Sequence, residues 1–240
     1  MNSQTVEYEA HELNMVSHLF VGERNGPRPG ILVFPDMYGI SDHSKERARQ
    51  LAEVGYVALA CDLHGNGHVL SGMEEVLAVR ETLIYDPKAI RARAKGGFDA
   101  LKARPEVDTD RMAGIGFCFG GRMALELARS GEALAAVVAF HAGLGTEAKG
   151  DSKNIKGKVL VCTGSEDSMA TREDRAAFED EMTEGGVDWQ VHLYGGVYHS
   201  FTNPEAEAMG RPDFARYDSR ADTRSWNSML NLLGEVFGPV

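Results

Sequence analysis

The stretch with most chemical content is Ala113-Gly114-Ile115-Gly116-Phe117-Cys118-Phe119-Gly120-Gly121-Arg122, in which an apolar run enters a helix-like segment through Gly-x-Cys-x-Gly. A nucleophile in this pattern sits on a sharp turn between strand and helix, and small residues two before and two after it relieve the crowding there. Cys118 is the nucleophile candidate. The helix that follows aims its free N–H groups at the same place, which favours negative charge on sulfur or on a substrate oxygen.

A nucleophile needs a base, and the base needs an orienting acid. In this architecture they follow in the order nucleophile, acid, base, each after a later strand. The run Lys158–Thr163 ends in Gly164-Ser165-Glu166-Asp167, which offers two carboxylates, Glu166 and Asp167. Either could instead be a solvated loop charge or a helix cap. Asp188–Tyr194 runs into Gly195-Gly196-Val197-Tyr198-His199, and His199 is the base candidate. Acyl transfer also requires donors for a developing oxyanion. These are assigned to the backbone N–H of Phe119 and to that of Met37, in the loop Pro35-Asp36-Met37-Tyr38-Gly39. Tyr38 and His141 are expected at the substrate pocket. His141 is placed there because it follows the run Ala136–Phe140.

Other reactive residues read as structural. Cys61 and Cys162 lie inside apolar runs, YVALACDL and KVLVCTG, where a small sulfur side chain packs well. His64 and His68 follow a strand exit with no matching ligand cluster, so no metal is expected.

These residues need strand ends to stand on, and the chain supplies an alternation of short β-branched runs and longer segments of helical spacing. A hairpin is expected over about 5–11 and 15–22, then a strand Gly30–Pro35, a helix Ser41–Gly55 and a strand Tyr56–Cys61. A helical region Gly72–Arg104 must break at Pro87. There follow a strand Arg111–Phe117, a helix Gly120–Arg129, a strand Ala136–Phe140, a loop Gly143–Lys158, a strand Lys158–Thr163, a helix Arg172–Gly185, a strand Asp188–Tyr194 and a helix Ser219–Phe237. Such alternation implies an α/β fold, with a mostly parallel central sheet and helices on both faces, in a single domain over 1–240.

Composition agrees with a globular protein. In 240 residues, 43% are hydrophobic and 25% charged, enough apolar material for a substantial core. The net charge of −11 argues against a grip on nucleic acid or anionic membranes. The chain opens MNSQTVEYEAHEL without a signal-like apolar stretch, so a cytoplasmic protein is expected. The oligomeric state is not legible.

Together these motifs resemble the dienelactone hydrolase family, a branch of the α/β-hydrolases. The specific part is Gly116-Phe117-Cys118-Phe119-Gly120-Gly121. Support comes from Pro35-Asp36-Met37-Tyr38-Gly39, Gly164-Ser165-Glu166-Asp167, Tyr198-His199-Ser200-Phe201 with Thr202-Asn203-Pro204, and Arg224-Ser225-Trp226. The resemblance implies a triad of Cys118, His199 and Asp167, no cofactor, and hydrolysis through an acyl-enzyme of enol-lactones formed when bacteria degrade aromatic compounds. Two positions depart from the family pattern. Asp36 stands where the family has a glutamate that modulates the thiol, and Asn203 where it has an arginine that clamps a substrate carboxylate. Two other readings use the same thiol and fold: a redox or sensor protein, and a silent binding module.

Overall fold

The structure, a computed structural model, describes residues 1–23, 26–84 and 86–240. Its eight strands are β1 (Asn2–Ala10), β2 (Leu13–Val21), β3 (Arg28–Phe34), β4 (Val57–Ala60), β5 (Val107–Phe117), β6 (Ala136–Phe140), β7 (Lys158–Gly164) and β8 (Trp189–Tyr194). They form one sheet in the order β1-β2-β4-β3-β5-β6-β7-β8. The hairpin β1–β2 is antiparallel and joins β4 antiparallel, while every pairing from β4 through β8 is parallel. Strands β3, β4, β6 and β7, and β5 from Met112 onward, are buried nearly throughout because helices cover both faces.

The helices are α1 (Asp42–Val54), α2 (Met73–Ile84), α3 (Pro87–Lys102), α4 (Phe119–Arg129), α5 (Arg172–Glu184) and α6 (Ser219–Phe237). One apolar cluster packs α3 and α4 against one face of the sheet, through Phe98, Leu101, Met123 and Leu127. The other packs α1 and α6 against the opposite face, through Leu51, Met229, Leu233 and Phe237.

The expected helical region 72–104 is two helices. Pro87 opens α3, where its missing N–H costs nothing, and the Asp86 side chain caps the turn by accepting from the Ala89 N–H at 3.0 Å. Strand β5 begins four residues earlier than its apolar run indicates, because Val107 and Asp108 pair with Arg28 and Pro29 before an irregularity at Pro29/Gly30 resets the register. The loop 143–158 holds one short 3₁₀ turn, Asp151–Asn154. No helix among the described residues is long and apolar enough to cross a membrane.

The parallel arrangement sends the C-terminal ends of β3, β5, β7 and β8 to one edge of the sheet. Ligands of open α/β sheets bind at that edge.

Candidate active site

Cys118 occupies the turn between β5 and α4 with φ 53° and ψ −117°, outside the regions a side-chain-bearing residue prefers. Strain of this kind costs on the order of 1–3 kcal/mol and persists only where the surroundings impose it. Here they do. A Cβ on Gly116 would lie 2.0 Å from the Gly120 carbonyl oxygen, and one on Gly120 would lie 2.2 Å from the carbonyl oxygen of Phe34. The two glycines let α4 press against β5 and the end of β3, which brings the α4 N-terminus beside the loop carrying Met37. The Cys118 N–H is held by the Phe140 carbonyl of β6 at 2.9 Å.

His199 lies past the end of β8, where its N–H donates to the Phe214 carbonyl at 3.2 Å and its carbonyl accepts from the Arg216 N–H at 3.1 Å. Its Nδ1 donates to the Asp167 carboxylate, 3.0 Å from each oxygen. A carboxylate on Nδ1–H fixes the tautomer and leaves Nε2 for the sulfur of Cys118. Burial alone would push the imidazole pKa down. The charge of the Cys118 thiolate, the hydrogen bonds to Asp167 and Cys118, and the Asp167 charge outweigh it and raise the value to about 10. The imidazole is thus poised to hold a proton beside the sulfur.

Asp167 follows β7 with a fully buried carboxylate, which also accepts from the Met169 N–H at 2.9 Å. Glu166 is exposed and accepts instead from the Ser165 hydroxyl at 2.9 Å. Of the two carboxylates the sequence offers, Asp167 is the one turned to the imidazole.

Above the sulfur lies a cavity of about 310 Å³. Asp36, Met37, Tyr38, Cys118, Phe119 and His199 all line it, which brings together six of the nine residues expected at the site. The Asp36 carboxyl is buried and its Oδ1 accepts from the Tyr38 N–H at 2.9 Å. Burial raises its pKa to about 6, against the pull of that N–H and of the His199 charge. Burial, followed by the charges of Asp36 and Cys118, keeps the Tyr38 phenol protonated above its usual range.

His141 and Asn203 do not line the cavity. The His141 ring is packed behind His199, edge to face at 5.2 Å between centroids, with Nε2 against the Thr202 hydroxyl at 2.8 Å. Burial, then the positive charges of His199 and His43, hold it well below the usual imidazole range, and so neutral. The Asn203 side chain closes its own turn by accepting from the Glu205 N–H at 3.0 Å.

Three arginines to which the sequence reading gives no role reach the cavity: Arg80 from α2, Arg122 from α4, at the end of the Cys118 motif, and Arg211 from the loop after β8. Helix α2 also lends Met73, Val76, Leu77 and Ile84 to the wall. These fall at helical spacing, the only sequence signal that could have pointed to them. Among the described residues no group of three or more His, Cys, Asp or Glu side chains gathers as a metal site.

The arrangement can carry out acyl transfer: a thiol backed by an imidazole, an acid that orients the imidazole, and backbone N–H groups at the head of α4. The sheet order and the strand-to-helix turn at Cys118 are those of an α/β-hydrolase. Over residues 17–237 the chain matches the model of the dienelactone hydrolase family, and it belongs to that family. It is therefore a hydrolase of the ester and lactone class. Among solved structures it is similar to m3DLH, at 46% identity and TM-score 0.95 over 98% of both chains. It is likewise similar to the dienelactone hydrolase-like promiscuous phosphotriesterase P91 from metagenomic libraries, at 42% identity and TM-score 0.95 over 99% of both chains. A relative from a Bradyrhizobium species, named as a probable 2-oxo-3-(5-oxofuran-2-ylidene)propanoate lactonase, is 27% identical over 219 residues, 87% of this chain and 84% of its own.

Proposed function

We propose that the protein hydrolyses a small ester or lactone by covalent catalysis, with Cys118 as nucleophile, His199 as acid and base, and Asp167 as the group that orients His199. The observation that carries this reading is the placement of His199, with Nδ1 on a buried carboxylate and its charge stabilised by the sulfur at the cavity floor. The thiolate attacks the carbonyl carbon, and the N–H groups of Met37 and Phe119 stabilise the resulting oxyanion. The tetrahedral intermediate collapses as His199 Nε2 gives its proton to the departing alkoxide, leaving a thioester. Water then attacks, His199 takes its proton, and the thiolate leaves, releasing the acid. With a lactone, alcohol and acid remain on one product molecule.

The arginines support a substrate that bears a negative charge away from the scissile bond, while the α2 wall supports an apolar body between that charge and the carbonyl. Asn203, in the place of the family arginine, is replaced in this task by cations from other elements. The three free cysteines suit a reducing compartment such as the cytoplasm.

The test is a panel of lactones and acyl esters, anionic and neutral, ranked by kcat/KM with Cys118→Ala as control. Loss of turnover by about 10³-fold or more in a folded Cys118→Ala protein is expected; retained turnover would overturn the reading. A phosphotriester belongs in the panel because of the likeness to P91. The same thiolate and oxyanion donors suit attack at phosphorus.

A further inference from the structure

The loop that carries Met37 is held by more than its own turn. His64 Nε2 lies 2.8 Å from the carbonyl oxygen of Met37. A carbonyl oxygen only accepts, so Nε2 carries the proton and donates it. Burial keeps the ring below its usual pKa range and hence neutral. The N–H at the other end of the same peptide, that of Tyr38, donates to Asp36 Oδ1 at 2.9 Å. The Met37–Tyr38 peptide is therefore clamped at both poles, and the preceding peptide, which carries the Met37 N–H two rotatable bonds away, is held at its carbonyl end by the Gly39 N–H at 3.1 Å, so the two clamps together limit the direction of the Met37 N–H.

His64 is itself anchored. Asp62 is buried, and its carboxylate accepts from the N–H groups of His64 at 3.0 Å, Gly65 at 3.1 Å, Gly67 at 2.7 Å and, across the sheet, Val16 at 2.9 Å. Beyond it, the Leu70 N–H donates to the Tyr38 carbonyl at 2.9 Å, and Gly39 bridges Val69. The segment after β4 thus forms a brace running from the hairpin to the oxyanion loop.

We infer that His64 is a positioning residue for hydrolysis, holding the Met37–Tyr38 peptide so that the Met37 N–H points at the developing oxyanion. This role rests on the mechanism proposed above, and it separates His64 from any part as a metal ligand or as a base. A preorganised donor is worth most when it need not reorient during the reaction, so loosening the brace should lower kcat more than it raises KM.

The experiment compares His64→Phe, which fills the space without a donor, with His64→Gln, whose Nε2 can donate from a similar position. Each is measured for kcat and KM on an acyl ester and for the rate at which iodoacetamide alkylates Cys118. Alkylation is displacement at a saturated carbon and needs no oxyanion donor, so it reports the thiolate alone. His64→Phe is expected to lose about 10- to 100-fold in kcat with KM within threefold and an alkylation rate close to wild type, and His64→Gln to recover most of the loss. If His64→Phe does not fold, His64→Ala with added imidazole replaces it, and turnover should rise with imidazole. A kcat within twofold of wild type in the folded donor-less variant would overturn the inference, as would an alkylation rate that falls in parallel with kcat. Cys118→Ala measured alongside separates the two levels: if it still turns over, the mechanism itself fails. If it is dead while His64→Phe is fully active, only the role of His64 fails.

Discussion

His199 Nδ1 stands 3.0 Å from both oxygens of Asp167, so the carboxylate straddles the N–H and the imidazole cannot rotate without losing both contacts. Burial pulls the ring's pKa down, and what holds it high is first the sulfur and only then this carboxylate.

In Cys118→Ala the strongest of the influences favouring the imidazolium disappears, and burial gains weight. The pKa of His199 is therefore expected to fall from about 10. Imidazole resonances followed by NMR from pH 5 to 10 in the two proteins would show it. An unshifted His199 titration would mean that sulfur and imidazole are not coupled.

Asp36 gives a second pH-dependent effect. Its folded pKa, about 6, lies above the ordinary aspartate value of 3.8, so the native state binds the proton more tightly than the unfolded chain. The cost of the buried charge is absent below about pH 4, grows as pH rises to 6 and is constant above. Asp36→Asn should therefore gain stability on wild type with rising pH, up to roughly 3 kcal/mol at pH 8. Urea unfolding at pH 4, 5, 6 and 8 checks it; a difference independent of pH would contradict the assignment.

Arg47 ties three elements behind the site. Its Nη2 donates to the Thr202 carbonyl at 2.7 Å and to Asp222 at 2.6 Å, with the guanidinium 5.0 Å from the centre of the Trp226 ring. Arg47→Met strands a largely buried carboxylate and a carbonyl, and should cost about 3 kcal/mol. Adding Asp222→Leu should recover part of the loss. Denaturant midpoints of the single and double variants provide the measurement.

The cations at the cavity have a graded effect, because Arg80 and Arg211 are exposed and their charges are screened. Arg80→Gln and Arg211→Gln together should raise KM for a carboxylate-bearing ester roughly three- to tenfold while leaving a neutral ester within twofold. Equal changes for both esters would remove the case for an anionic substrate.

Much of this site is legible in the sequence because its chemistry sits next to local signals. Gly116 and Gly120 announce the turn at Cys118, and the order of runs before Asp167 and His199 places both at strand ends. Neighbours in sequence that face opposite ways are not separable there: Glu166 and Asp167 have the same chemistry, and only the turn after β7 decides which enters the interior. His141 is misplaced for a related reason, since a strand end fixes height above the sheet but not the direction of the side chain. Arg80, Arg211 and the His64 brace come from segments distant in sequence. No spacing rule connects Met37 to a histidine 27 residues later, and the link exists only once β4 lies beside β3.

Strand β6 carries none of the proposed catalytic side chains, yet it separates β5 from β7 in the sheet. Cys118 is fastened to its last residue, and the His141 N–H that follows is fastened to Cys162 of β7. It acts as a spacer whose width sets the gap between nucleophile and acid, so during refolding, turnover should return only after β5, β6 and β7 have all aligned. Regained ester hydrolysis would then time the completion of the central sheet, later than any signal from helix formation.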